Sequence, residues 1–309
     1  MKIVFMYSGQ GAQAPGMMKD IYDKYEESRK IFKCAEDTLG RSISELSFKG
    51  TADDLTLTHN TQPCVLAADL AAGAALEANG IHPDAVAGFS LGEYGALVRA
   101  NVITLEDAFS VIQIRADAMQ EAVPVGVGAM AAIMGAADTE VEELCNQVNG
   151  YVVPANYNSP VQTVISGTAE AVDNALQIAS EKGIKGVKLA VSAPFHCGLM
   201  KPAAEMIKTE FEGMTFSNPS IPVYMNVDSE ILKTGEDAKE LLYRQAMSAV
   251  LWKQTLLRMF DDGIDTFIEC GPGKTLWGLA RKTLPKDAKI LRVADLVSLE
   301  KTVATLTDE

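Results

Sequence analysis

Gly88-Phe-Ser90-Leu-Gly92 places a serine between two glycines, after an apolar run over 85–89 and before a helix-compatible stretch over 91–100. That spacing and context describe a sharp strand-to-helix turn that lifts a serine hydroxyl above the sheet edge, the flanking glycines relieving the crowding. The Leu91 amide, at the start of the helix, is placed to donate to an oxyanion. The bland alternative is a serine that only caps the helix. A serine nucleophile needs a base, and the chain has three histidines. His59 sits in the polar segment Thr58-His-Asn-Thr61 and His82 precedes Pro83, so both read as solvated loop residues. His196, in Pro194-Phe-His196-Cys197, follows the last strand of a middle segment where the chain turns back, and such a junction is a natural cleft wall.

A third signal is a cation on the wrong side of a helix. Over 104–121, Glu106, Ser110, Gln113, Asp117 and Glu121 form one polar stripe at helical spacing, and Arg115 lies opposite, among Leu105, Ala108, Ile112 and Met119. An inward guanidinium needs a partner, and its planar fork suits a carboxylate. That carboxylate is either an internal Asp or Glu or one carried by a substrate.

Two glycine loops suggest phosphate chemistry and fail on inspection. Gly9-Gln-Gly-Ala-Gln-Ala14 resembles a dinucleotide fingerprint, but 20–30 reads as a charged helix, not a strand ending in an acid. In Gly271-Pro-Gly-Lys-Thr275 the first glycine of a phosphate loop would be Ile268, so it reads as a sheet-edge turn. What remains at Gly9–Gln10 is a run of backbone N–H groups able to approach an anionic oxygen.

The elements that must position these residues alternate. Strands are expected over 3–7, 85–89, 221–226, 266–270 and 290–293, with helices over 17–39, 61–79, 91–100, 104–121, 199–211 and 238–261 and a short one from Lys274. Thr104-Leu-Glu-Asp107 resembles a capping box. The middle reads strand 129–134, helix 139–148, strands 152–157 and 161–166, helix 169–182 and strand 186–191, the βαββαβ order of a ferredoxin-like unit. The expected fold is α/β: a parallel-sheet large subdomain over 1–124 and 197–309, with an inserted ferredoxin-like small subdomain over 125–196.

Composition bounds the function. The chain has 309 residues, 48% hydrophobic and 22% charged, enough for a large core and ordinary for a globular protein. A net charge of −14 opposes binding to nucleic acid or to anionic membrane. The five cysteines are scattered without C-x-x-C spacing, which argues against a disulfide framework or a zinc site and for a reducing cytoplasm. The longest uncharged stretch, 122–137, contains Pro124, Gly126 and Gly128 and falls short of the ~20 residues of a membrane helix.

Taken in order, Gly9-Gln-Gly-Ala-Gln13, Gly88-Phe-Ser-Leu-Gly-Glu-Tyr94, Arg115 with Met119-Gln-Glu-Ala-Val-Pro124, Asn156-Tyr-Asn-Ser-Pro160 and Pro194-Phe-His196 resemble the malonyl-CoA:acyl-carrier-protein transacylase family over nearly the whole chain. The resemblance implies an α/β-hydrolase-like large subdomain with a ferredoxin-like insert. It implies Ser90 as nucleophile, His196 as base, Gln10 and Leu91 as oxyanion-hole amides and Arg115 as the clamp on the malonyl carboxylate. Gln62, Phe89, Asn158 and Phe195 would line the pocket. No cofactor is implied beyond the substrate malonyl-CoA and the phosphopantetheine of the carrier protein, and family members often act as monomers. Three positions depart from the family pattern: Phe89 where histidine is usual, Ser8 for proline, and Leu251 for glutamine, near which a main-chain carbonyl orients the histidine in family members. No aspartate third member is implied, so the pair is a Ser–His dyad.

An acidic carrier protein would need basic ground on this acidic chain, for which Lys182, Lys185 and Lys188, or Arg281, Lys282, Lys286 and Lys289, are candidates, the alternative for either run being a solvated face. Rival readings are an editing acyl-thioester hydrolase on the same elbow, a noncatalytic carrier-binding module, and a nucleotide-dependent oxidoreductase. Simple α/β-hydrolases place the histidine late and after an acid, whereas no histidine follows His196. Editing hydrolases of the family tend to lack the arginine that Arg115 matches.

Overall fold

The computed structural model describes residues 1–124, 126–191 and 193–307. Val125, where the small subdomain is expected to begin, and Ser192 lie outside the described residues. After β1 (Ile3–Tyr7), the helix expected over 17–39 is two helices, α1 (Lys19–Lys24) and α2 (Glu26–Leu39), which meet at an extended Tyr25; Gly40, at φ 64°, ends α2. Two short helices escaped the sequence reading. Each opens on a side-chain cap: Ser42 for α3 (Ile43–Lys49) and Thr51 for α4 (Ala52–Thr56).

α5 (Thr58–Ala78) starts a turn earlier than expected, so Pro63 lies inside it. Proline removes the donor for the carbonyl four residues back, and Arg41 Nη2 donates to that carbonyl, His59 O, at 2.8 Å. The same extension puts His59 on the helix, not in a loop, with its Nδ1 2.5 Å from Asp117 Oδ1. β2 (Ala85–Gly88), α6 (Gly92–Arg99) and α7 (Leu105–Glu121) follow, and Thr104 caps α7 by accepting from the Asp107 amide.

The middle segment comprises β3 (Gly128–Met134), α8 (Asp138–Gln147), β4 (Val152–Ser159), β5 (Gln162–Thr168), α9 (Ala169–Glu181) and β6 (Lys185–Lys188). Its strands pair antiparallel in the order β4-β5-β3-β6. Strand periodicity divides β3 between two faces. Ala129, Ala131 and Ile133 pack with α8 and α9, while Met130 and Ala132 join Met119, Phe195 and Met200 against the large subdomain.

The chain then runs through α10 (Lys201–Phe211), β7 (Val223–Tyr224), α11 (Gly235–Met247), α12 (Trp252–Asp261), β8 (Thr266–Cys270), α13 (Thr275–Thr283), β9 (Lys289–Val293) and α14 (Leu296–Thr307), the last of them not anticipated. β7 is shorter than the expected 221–226 because its flanking donors are spent elsewhere. The Met225 amide goes to Glu230 O and the Asn226 amide to Glu93. The single helix expected over 238–261 breaks at 248–251. There the Val250 amide donates to Ala155 O and the Tyr157 amide to Val250 O, a parallel bridge that ties the large subdomain to β4.

The large sheet is wholly parallel, in the order β7-β2-β1-β8-β9. Its central strand is buried at every position, which requires cover on both faces. Ile3, Phe5 and Tyr7 face the α5–α6 side, while Val4 and Met6 face Trp252, Leu256 and Met259 of α12. Across this sheet edge α6 lies so close that a Cβ on Gly88 would collide with the Gly92 backbone, and one on Gly92 with Tyr7 O. Replacing Gly88 by alanine should therefore cost about 3 kcal/mol, read as a lower denaturant midpoint; an unchanged midpoint would show that α6 can retreat from the strand.

Candidate active site

The turn between β2 and α6 holds Ser90 at φ 55°, a left-handed conformation that a side-chain-bearing residue keeps only when its surroundings enforce it. The enforcement comes mainly from Asn226, just beyond β7. Its Oδ1 accepts from the Ser90 amide at 2.7 Å and its Nδ2 donates to Gly88 O at 2.6 Å, so one carboxamide grips both sides of the elbow. Gln245 on α11 adds a third tie, its Nε2 donating to Ser90 O at 2.8 Å.

His196 also sits at positive φ, 59°, and is 5% exposed. Its Nε2 lies 2.7 Å from Ser90 Oγ and its Nδ1 2.9 Å from Gln245 O. A carbonyl only accepts, so Nδ1 carries the hydrogen and Nε2 presents its lone pair to the serine. The orienting carbonyl thus belongs to Gln245. This corrects the expectation that placed it near Leu251, whose carbonyl instead accepts from Ser229 Oγ and the Thr255 amide. Burial first, and the Arg115 charge second, pull the imidazole down to about 4.

Arg115, 1% exposed, points inward from α7. Its Nη1 donates to Gln62 Oε1 at 2.7 Å, and its Nη2 donates to Ser90 Oγ at 2.9 Å and to Gln245 Oε1 at 3.1 Å. Its Nε has no hydrogen-bond partner among the described residues, and the guanidinium carbon stands 5.6 Å from the Tyr94 ring centroid. Among the described residues its hydrogen-bond acceptors are two neutral carboxamides and a hydroxyl, with no carboxylate to make the internal ion pair left open by the sequence.

The remaining expected residues converge here with different clarity. Gln10 Nε2 donates to Thr58 Oγ1 at 3.2 Å, and Gln62 Nε2 lies 3.5 Å from Gln10 Oε1, linking the glycine loop to α5. The backbone N–H groups of Gln10 and Leu91 find no acceptor among the described residues. Ser8, at the position where proline is usual in the family, donates from Oγ to buried Asp69 Oδ1 at 2.6 Å and so anchors that loop from behind. Phe89 packs edge-on against Trp252, ring centroids 5.5 Å apart.

Ser90, His196 and Arg115 open onto a cavity of about 190 Å³ that Gln10, Gln62, Phe89, Asn158 and Phe195 also line. Met130, Val164 and Asn156 close it from the small subdomain, and Thr275 and Leu279 from α13. Asn158 Oδ1 is buried without a hydrogen-bond partner among the described residues. Sequence reasoning missed Asn226 and Gln245 and gave no role to Glu93. Glu93 carried the same signal that exposed Arg115: a charge on a helix face that is otherwise buried.

A profile of the acyl transferase domain family matches residues 4–306. The chain belongs to this family. Malonyl CoA-acyl carrier protein transacylase of Bacillus subtilis (strain 168) is 40% identical over 312 residues, spanning 100% of this chain and 98% of that protein. The crystal structure of malonyl CoA-acyl carrier protein transacylase from Clostridium perfringens superposes with a TM-score of 0.96 at 39% identity, covering 100% of this chain and 98% of that one. A malonyl-transacylase in complex with its type II PKS acyl-carrier protein gives 0.95 at 36% identity, covering 99% and 100%.

For this acyltransferase the lowered histidine pKa has a direct consequence. A base works only when neutral, so Ser90 reactivity should hold from neutral pH down to about 5 and fall as pH drops through about 4. Labelling by a fluorophosphonate probe across pH measures this. The same midpoint should move up in Arg115→Ala, because the guanidinium charge helps to hold it down. A wild-type midpoint above 6 would contradict the burial-driven lowering of the imidazole.

Proposed function

We propose that this acyltransferase carries a malonyl group from malonyl-CoA to the phosphopantetheine thiol of an acyl carrier protein, supplying fatty-acid or polyketide synthesis in the cytoplasm. The observation that carries the reading is the buried Arg115 guanidinium, without a carboxylate partner among the described residues and 2.9 Å from the Ser90 hydroxyl oxygen. A cation so placed is complementary to an acyl group that ends in an acid. The small cavity suits a short chain.

The reaction runs in two halves. His196 Nε2 takes the Ser90 proton as Oγ attacks the thioester carbonyl, and the unengaged amides of Gln10 and Leu91 receive the oxyanion. The proton passes from His196 to the departing coenzyme A thiol, leaving malonyl-Ser90. The Arg115 donors that now reach Ser90 Oγ and Gln62 turn to the malonyl carboxylate. The carrier thiol then gives its proton to His196 and attacks the ester, and the same proton returns to Ser90. Gln245 O stabilises the imidazolium in both halves. Each step uses groups of one chain, so the scheme needs neither a cofactor nor a second copy.

The carrier contact is proposed to lie on α13. That helix sends Thr275 and Leu279 to the cavity wall and exposes Arg281 and Lys282, which form no salt bridge among the described residues. On β6 and its approach, by contrast, Lys188 is paired with Asp173 and Lys182 donates to Gln147. Charge reversal at Arg281 and Lys282 should raise KM for the carrier and leave KM for malonyl-CoA unchanged. Equal shifts in both would move the contact elsewhere.

Selectivity tests the central reading. An acetyl group leaves the buried cation unmatched, a penalty of roughly 3 kcal/mol or about 100-fold. Arg115→Ala should therefore lose malonyl preference over acetyl by about that factor, measured as Ser90 adducts by intact mass in competition. Retained preference would remove Arg115 from the role. Release of free malonate with no acylated carrier would instead favour the editing hydrolase.

A further inference from the structure

Behind the elbow lies a second buried charge that the two-step reaction does not use. Glu93 is fully buried on α6, one turn from the nucleophile. Its Oε1 accepts from the Asn226 amide and its Oε2 from Gln245 Nε2, both at 2.6 Å. The other end of the Gln245 carboxamide accepts from Arg115 Nη2. Glu93 and Arg115 therefore face each other across one amide group, the carboxylate on its donor end and the guanidinium on its acceptor end. This explains how the cation stays buried without an ion pair, its terminal donors resting on neutral acceptors that a substrate carboxylate can displace. The other groups facing Glu93 are Tyr94 on its own helix and Asp228 on the turn after β7.

A malonyl carboxylate arriving at Arg115 puts two anions on one buried cation, and closely placed like charges in low dielectric do not both stay ionised. We propose that Glu93 is the exchangeable counter-charge of Arg115: it balances the guanidinium while the acyl site is empty and takes up a proton when the malonyl carboxylate replaces it. The inference rests on the malonyl reading above. Glu93 is a positioning residue, acting through Gln245 and Arg115 without touching substrate. Burial pushes the Glu93 carboxyl up to about 8 while its two donors and Arg115 restrain it, which leaves it close to its protonation threshold. Loss of that restraint moves it further up; below about pH 8 the carboxyl is already protonated in the empty site, so the exchange and its proton uptake belong to pH near and above 8.

The acylation itself is proton-neutral. The Ser90 Oγ–H bond and the thioester C–S bond break, the ester C–O and thiol S–H bonds form, and His196 carries the proton between them. Any net uptake comes from another group. The test mixes malonyl-CoA with the full-length protein at pH 8.5 in dilute buffer with a pH indicator, and counts adducts by intact mass in the same samples. The wild type should take up a proton for up to each adduct formed, and Glu93→Gln much less per adduct. Thiol released per adduct is the same in both, so the difference isolates Glu93. Infrared difference spectra of the wild type, taken with ¹³C-malonyl-CoA to displace the substrate bands, should show a carboxylate stretch lost and a protonated carboxyl stretch gained. This second readout stands even if the variant does not fold. Malonyl adducts without proton uptake, or equal uptake in Glu93→Gln, would overturn the proposal and leave the malonyl reading intact. Absence of adducts on wild-type Ser90 would overturn both.

Discussion

The site is organised by a buried guanidinium that has no carboxylate to hold. Desolvating an arginine is costly unless its donors are satisfied and its charge is offset. Here Gln62 and Gln245 each satisfy one donor with a neutral oxygen, and a third donor rests on the nucleophile itself. A direct salt bridge would stabilise the cation more and leave it nothing to offer a substrate. Both amide partners are themselves buried, Gln62 on α5 and Gln245 on the inner face of α11, so the cation is held in place yet kept available.

That arrangement requires the elbow and the histidine to be set to the same standard, and both are held in left-handed backbone conformations. Side-chain amides do most of the holding. Asn226 clamps Gly88 and Ser90, while Gln245 reaches four groups: Ser90 O and Glu93 through its Nε2, Arg115 through its Oε1, and His196 through its main-chain oxygen. Both lie beside interruptions, Asn226 where β7 ends early and Gln245 just before the break at 248–251. The bridge from Val250 to β4 makes the same break a seam between subdomains, so the histidine's orientation and the closure of the cavity share one piece of chain.

What could be read from the sequence was the chemistry that demands particular residue types. Ser90 declares itself by the glycines its turn cannot do without, and Arg115 by a helical periodicity that puts a charge on the apolar side. His196 stands out because the other two histidines have poorer surroundings. The supporting layer has no such mark. Neutral amides such as Asn226 and Gln245 fit a helix or a loop equally well, and a main-chain carbonyl can be supplied by any residue, which is why it was sought near Leu251. The missed boundaries have the same origin. Ser248-Ala-Val250-Leu251 contains no glycine or proline, and the helix stops there because tertiary hydrogen bonds to β4 and Asn226 compete for its backbone. Pro63, a reasonable start signal, lies inside α5 because Arg41, distant in sequence, takes the freed carbonyl.

The most direct measurement is a crystal structure of the protein acylated on Ser90 by malonyl-CoA. Both malonyl carboxylate oxygens should lie within hydrogen-bond reach of Arg115, with the Arg115–Ser90 contact given up and the histidine still on Gln245 O. An adduct whose carboxylate points to solvent while Arg115 keeps its present acceptors would contradict it.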